Sequence, residues 1–181
     1  MNERTARQIQ EMKKQTIGVE VEMNNITRNK AAKIAADFFE TQRYQNTANR
    51  NGYDTWSAWD FQGREWKFQR DTSISGPESQ KCELVTPILD YSDMKILQEL
   101  IRKLRKSGAK SDASRGCGIH IHIGAKYHTP KTLRNLANIM ASHEDLISKA
   151  LNIDGNRMQN YCRTVDPRFL KELNRKKPTT M

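Results

Sequence analysis

The chain has 181 residues, enough for one domain of ordinary size, with 36% hydrophobic and 29% charged residues and a formal net charge of +10. Its apolar residues fall in periodic blocks, which excludes wholesale disorder, and no apolar run approaches the roughly 18 residues of a membrane span. The three cysteines, Cys82, Cys117 and Cys162, are widely spaced and form no CxxC pair, which excludes a disulfide framework or a zinc ribbon and fits a reducing cytoplasm.

An N-terminal arm, residues 1–15, is polar and helix-prone and lacks the apolar core of a secretory signal. TIGVEVEM then alternates Ile17, Val19, Val21 and Met23 with Gly18, Glu20 and Glu22, the period of a strand, so both glutamates share one face. Thr27 caps a predicted helix whose Ala31, Ile34, Ala35 and Phe38 repeat at helical spacing. Residues 45–55 read as a loop. Between Trp56 and Asp71 two strands are expected, with a turn at Gln62-Gly63, and CELVTPIL gives a further strand ending near Pro87. Ser92 is the predicted cap of a helix carrying Met94, Leu97, Ile101 and Leu104 and closed by Gly108. RGCGIHIHIGA repeats the logic of the first strand, with Ile119, Ile121 and Ile123 on one face and Gly118, His120, His122 and Gly124 on the other. Thr129 and Pro130 open a last clear helix with Leu133, Leu136, Ala137, Met140, Ile147 and Leu151 on its apolar stripe.

The positive charge is unevenly spread. Residues 95–115 and 157–181 each carry 7 Lys and Arg against 2 Asp and Glu, while the rest of the chain sums to zero. A solvated helix face over 95–115 and a partly frayed terminus over 157–181, with residues 164–181 as a basic tail, account for this before a nucleic-acid footprint does; a protein that binds nucleic acid or an acidic partner stays as the rival class.

Two features carry chemistry. Glu20 and Glu22 are either an exposed sheet face or oxygen ligands about 7 Å apart, a spacing that holds one divalent ion between them or one each. His120 and His122 are likewise either surface residues or imidazoles aimed at one site, with Gly118 and Gly124 leaving room for a ligand to approach the backbone. Carboxylates with imidazoles suit Mg²⁺ or Mn²⁺, with zinc left open. Asp71 and Glu83 lie at strand ends and are either turn and surface acids or further members of the set. A zinc hydrolase built on the two histidines ranks last, because HIH lacks the helical spacing of an HExxH pair.

The series GVEVE (18–22), WKFQRDTSI (66–74), CELVTP (82–87) and GCGIHIHIGA (116–125), in this order, resembles the amidoligase family, part of the glutamine synthetase and glutamate-cysteine ligase superfamily of carboxylate-amine ligases. RMQNYCR (157–163) is similar to the basic segment that follows the His motif in that family. The resemblance implies an α+β fold in which a curved antiparallel sheet is backed by helices on one face, a single domain over 1–181, and an ATP- and Mg-dependent ligase working through an acyl phosphate. It implies metal ligation by Glu20, Glu22, Glu83 and His120, nucleotide contacts from His122 and Gly118, and catalytic roles for Asp71, Arg157 and Arg163. The implied partners are an amino acid or peptide bearing a carboxylate and an amine co-substrate, with no membrane and with a homo-oligomer as one way to complete the site. The family's later Glu-x-Arg strand has no counterpart after His122, which is expected to mean a fragment, completion by another subunit, or lost catalysis.

Overall fold

Alternation in IGVEVEM produces the strand on which the rest is built, β1 (Ile17–Met23), in which Val19, Val21 and Met23 are buried on one face. The computed structural model describes residues 2–48, 52–126 and 128–180. It divides into two compact units, Met1–Gly124 and Ala125–Met181.

In the first unit a surface helix, α1 (Glu3–Lys13), precedes β1, and α2 (Arg28–Phe38) follows it. Thr27 caps α2 as expected, its side chain accepting from the Lys30 N–H. Then come β2 (Tyr44–Asn46), β3 (Trp56–Trp59), β4 (Glu65–Gln69), β5 (Cys82–Val85), α3 (Met94–Lys106) and β6 (Ile119–Ile123). The strands form an open antiparallel sheet in the order β2-β3-β4-β5-β1-β6. The α+β expectation therefore holds.

One face of this sheet is apolar. Val19, Val21, Trp66, Phe68 and Leu84 pack with Ala31, Ala32, Ala35 and Ala36 of α2 and Leu97, Leu100 and Leu104 of α3 in a single core. The run of alanines on α2 lets the helix approach the sheet closely, and Trp66 and Phe68, both fully buried, each contribute about 1.5–3 kcal/mol by leaving water. Buried Arg28, at the start of α2, donates to the carbonyls of Glu78 and Lys81 and pairs with Asp54, which anchors the segment entering β5.

Several expectations are corrected. The polar stretch 45–55 is not wholly loop, because Tyr44–Asn46 pairs with β3; residues 49–51 lie outside the described residues. Ser92 does not cap α3: Asp90 caps a short 3₁₀ turn, with Asp93 returning a bond to the Asp90 N–H, and the turn runs into the helix. Gly108, at φ +109°, does close that helix. The three isoleucines of β6 share the core-side face, yet they are 60%, 64% and 51% exposed, because β6 is the sheet's edge strand.

The second unit consists of α4 (Pro130–Ala150), α5 (Gly155–Asn160) and α6 (Pro167–Lys176). Thr129 caps α4, with Pro130 at the first position. Asn138 and Asn174 exchange amide hydrogen bonds of 3.0 and 2.8 Å between α4 and α6, and the Val165 N–H donates to Glu144 at 2.7 Å. The expected frayed tail is thus a capped helix over most of its length, with Asp166 as cap and Pro167 at its start. No helix among the described residues is long and apolar enough to cross a membrane.

Candidate active site

Strand register places the functional side chains. On the face opposite the core, Glu22 stands directly across from Glu83 of β5, and Glu83 from Gln69 of β4. On the other flank of β1, Glu20 faces His120 and Gly18 faces His122. Directly opposed residues have Cβ atoms about 5 Å apart, so two glutamates of β1, one of β5 and two histidines of β6 converge although Glu20 and His120 are 100 residues apart in sequence. Gly18 stands opposite His122, where a Cβ would make only an ordinary van der Waals contact with His122 Cβ at 3.7 Å.

The side chains then form a connected set. His120 Nδ1 lies 3.0 Å from Glu20 Oε2 and His120 Nε2 lies 3.7 Å from Glu22 Oε1, while His122 Nε2 is 3.3 Å from Glu20 Oε1. The Gly118 N–H donates to Glu22 Oε2 at 2.6 Å, and Gln69 Nε2 donates to Glu83 Oε2 at 2.8 Å. Asp71, just past β4, is oriented by the Ser73 N–H at 2.7 Å. Two donor groups emerge, Glu20 with Glu83 and His120, and Glu22 with Asp71 and Glu83, the ligand atoms within each group lying within 4.8 Å of one another. Glu83 belongs to both.

Glu22 and Glu83 are buried, at 4% and 7% exposure, whereas the histidines lie on the open edge strand. Burial pushes the Glu83 carboxyl above its usual range; Gln69 opposes this, and the charges of Glu20, Asp71 and Glu22 reinforce it. Such crowding of carboxylates is unfavourable in isolation and is relieved by a cation. An oxygen-rich set with one imidazole fits a hard divalent ion.

Glu20, Glu22, Asp71, Glu83, His120, His122 and Gly118 are therefore brought together. Gly118 acts through its N–H on Glu22. Arg157 and Arg163 lie in the second unit, where Arg157 stacks on the Tyr161 ring at 5.1 Å and Arg163 Nε donates to the Gln159 carbonyl at 3.1 Å. Sequence reasoning missed Gln69, whose signal was its place on the polar side of EWKFQ together with Glu65 and Lys67. Cys82, bordering the site in sequence, is fully buried on the core side, where desolvation pushes its thiol up to about 12.

These features define an α+β protein with an acidic, sheet-borne site edged by imidazoles. A family model described as "Putative amidoligase enzyme" matches residues 13–181, and the chain belongs to the amidoligase family. It is thereby an amide-bond ligase in kind, with a carboxylate and an amine as its substrates. No curated protein and no solved structure matches the chain significantly.

Proposed function

We propose that the protein is an ATP- and Mg²⁺-dependent carboxylate-amine ligase that forms its amide through an acyl phosphate, in the manner of the glutamine synthetase and glutamate-cysteine ligase superfamily. The observation that carries this reading is the pair of donor groups sharing Glu83 on the polar sheet face. A carboxylate is a poor electrophile, so its oxygen first takes the γ-phosphoryl group of ATP and ADP leaves. The amine nitrogen then attacks the acyl carbon, releasing phosphate and a proton.

Glu20, Glu83 and His120 would hold one ion, and Glu22, Asp71 and Glu83 a second. When bound, such ions neutralise the triphosphate and stabilise charge on the transferring group. The protein's own share is orientation. The Gly118 N–H fixes one oxygen of Glu22, and Gln69 fixes one oxygen of Glu83, so each carboxylate presents its remaining lone pairs in a set direction. His122 would lie along the nucleotide. Arg157 and Arg163 would contact phosphate or carboxylate, an assignment supported by the family resemblance of their segment.

The test is calorimetric titration of Mg²⁺ and ATP into the whole chain beside Glu20→Ala and His120→Ala. Loss of Mg²⁺·ATP affinity by more than about tenfold in both variants is expected. Wild-type affinity in both would sink the proposal. Arg157→Ala and Arg163→Ala are expected to weaken ATP while leaving Mg²⁺ alone unaffected.

A further inference from the structure

Strand β6 is an edge with nothing to guard it. Its inner side is bonded to β1: the Gly124 N–H donates to the Thr16 carbonyl at 2.8 Å, and the Glu22 N–H donates to the Gly118 carbonyl at 3.0 Å. These two bonds fix the phase of the ladder, in which hydrogen-bonded pairs recur at every second residue. The backbone groups of Gly118, His120, His122 and Gly124 therefore face β1. Those of Ile119, Ile121 and Ile123 face outward, where no strand among the described residues pairs with them. The opposite edge, β2, is only three residues long. Short length, charges and prolines are the usual guards of an exposed edge, whereas β6 has five residues and no Lys, Arg, Asp, Glu or Pro.

The side chains of the same isoleucines form an apolar patch, each more than half exposed, that runs into a groove of ≈ 300 Å³ lined by Val19, Leu97, Ile101 and Ile119. An occupant that satisfies both the backbone edge and the patch is a strand with one apolar face. Residues 118–124, Gly-Ile-His-Ile-His-Ile-Gly, are such a strand, and they read the same in both directions about Ile121. Residues 116–125 are also the longest run of the chain without Asp, Glu, Lys or Arg, so two copies can meet there despite a net charge of +10 each.

We infer that β6 pairs with β6 of a second copy of this chain, antiparallel and about a two-fold axis through Ile121. Ile121 then meets Ile121 of the partner subunit, and Ile119 meets Ile123 of the partner subunit. Every outward N–H and C=O of the isoleucines finds a partner in that register, and the apolar patches of the two copies become continuous. A slip by one residue opposes Ile to His and sets outward groups against inward ones. On the polar face His120 lies across a non-hydrogen-bonded pair from His122 of the partner subunit, with Cβ atoms about 5 Å apart. Each copy thus sets an imidazole beside the Glu20, Glu83 and His120 group of the other, so the pairing adds a residue to the site as well as covering the edge. It does not depend on the ligase reading.

The test is sedimentation equilibrium of the whole chain at ~100 µM, a concentration suited to a small interface. Wild type should sediment at twice the chain mass. Ile121→Lys and Ile121→Glu each set like charges face to face on the axis and should sediment at the chain mass. Both fall on a side chain that is 64% exposed in the single copy, so the fold has room for them. Mixing the two variants should restore twice the mass, because position 121 meets itself in this register and the mixed pair opposes Lys to Glu. A monomeric wild type overturns the inference, as do a dimer that Ile121→Lys leaves intact and a mixture that stays monomeric. Should circular dichroism show either variant misfolded, hydrogen exchange on wild type decides. The amides of Ile119, Ile121 and Ile123 should be protected about tenfold more at ~100 µM than at ~1 µM, and exchange independent of concentration overturns the pairing.

Discussion

Glu83 concentrates the trade between stability and function. It is buried, it faces Glu22 across the β1–β5 pair, and it belongs to both donor groups. Removing its charge relieves repulsion but deletes a shared ligand. Glu83→Gln should therefore melt at a higher temperature than wild type in EDTA and gain nothing from Mg²⁺, a comparison read by calorimetric scanning. The cysteines make a simpler case. Cys82 and Cys117 are buried and Cys162 is only half-buried, so brief treatment of native protein with iodoacetamide should label Cys162 alone, as peptide mass spectrometry will show. At this scale the sequence was informative wherever a side chain's direction followed from alternation: Glu20, Glu22, His120 and His122 could be placed on one face. Gln69 and the Gly118 N–H could not, because their partners are chosen by cross-strand register, which no local pattern encodes.

Among elements, the β3–β4 turn and the start of α3 are locked by one arginine. Arg64 donates to Asp60 at 2.8 Å and to both oxygens of Asp93 at 2.8 Å, and Asp60 also accepts from Trp66 Nε1 at 3.0 Å. Burial acts against the charged form of Asp60, but the bonds from Trp66 and Arg64 outweigh it, and the Arg64 hydrogen bonds hold Asp93 below its usual range as well. Arg64→Met leaves two buried carboxylates uncompensated and should cost about 3 kcal/mol at neutral pH. Because both folded-state values are depressed, the network's contribution is full above the unfolded aspartate value of about 3.9 and is lost as pH falls through the folded ones. The gap between wild type and variant in urea unfolding should accordingly shrink below about pH 4. A second lock is Gly116, at φ +83°, where a Cβ would stand 2.7 Å from the Ser73 carbonyl oxygen. Gly116→Ala should destabilise by at least about 1 kcal/mol and also weaken Mg²⁺, since the same loop delivers the Gly118 N–H to Glu22. The Thr27 and Thr129 caps were readable because they stand immediately before a helical period. Asp90 was not, because the 3₁₀ turn it starts carries no apolar repeat, and α6 was obscured by a charge density that resembles a solvated tail.

For the whole chain, all five proposed ion ligands lie within Met1–Gly124, whereas the two arginines proposed for anions lie within Ala125–Met181. The first unit is built from pairings distant in sequence, with β1 flanked by β5 and β6. Fold class was legible from strand and helix periods, but the strand order was not, since any of several antiparallel orders buries the same aliphatic faces. Mg²⁺ at a hundred times its dissociation constant should stabilise the protein by about 2.7 kcal/mol, and Glu20→Ala should forfeit much of that gain in thermal unfolding.

The place of β1 between β5 and β6 also has a temporal meaning. A chain made from its N-terminus has Glu22, Asp71 and Glu83 by residue 83, but lacks His120 until 37 residues later. All three carboxylates of one donor group are thus synthesised before the imidazole of the other. A divalent ion held there as proposed would act as a folding factor as well as a reagent. Refolding from urea, followed by tryptophan fluorescence, should be faster in Mg²⁺ than in EDTA, and Glu83→Gln should refold at the same rate in both.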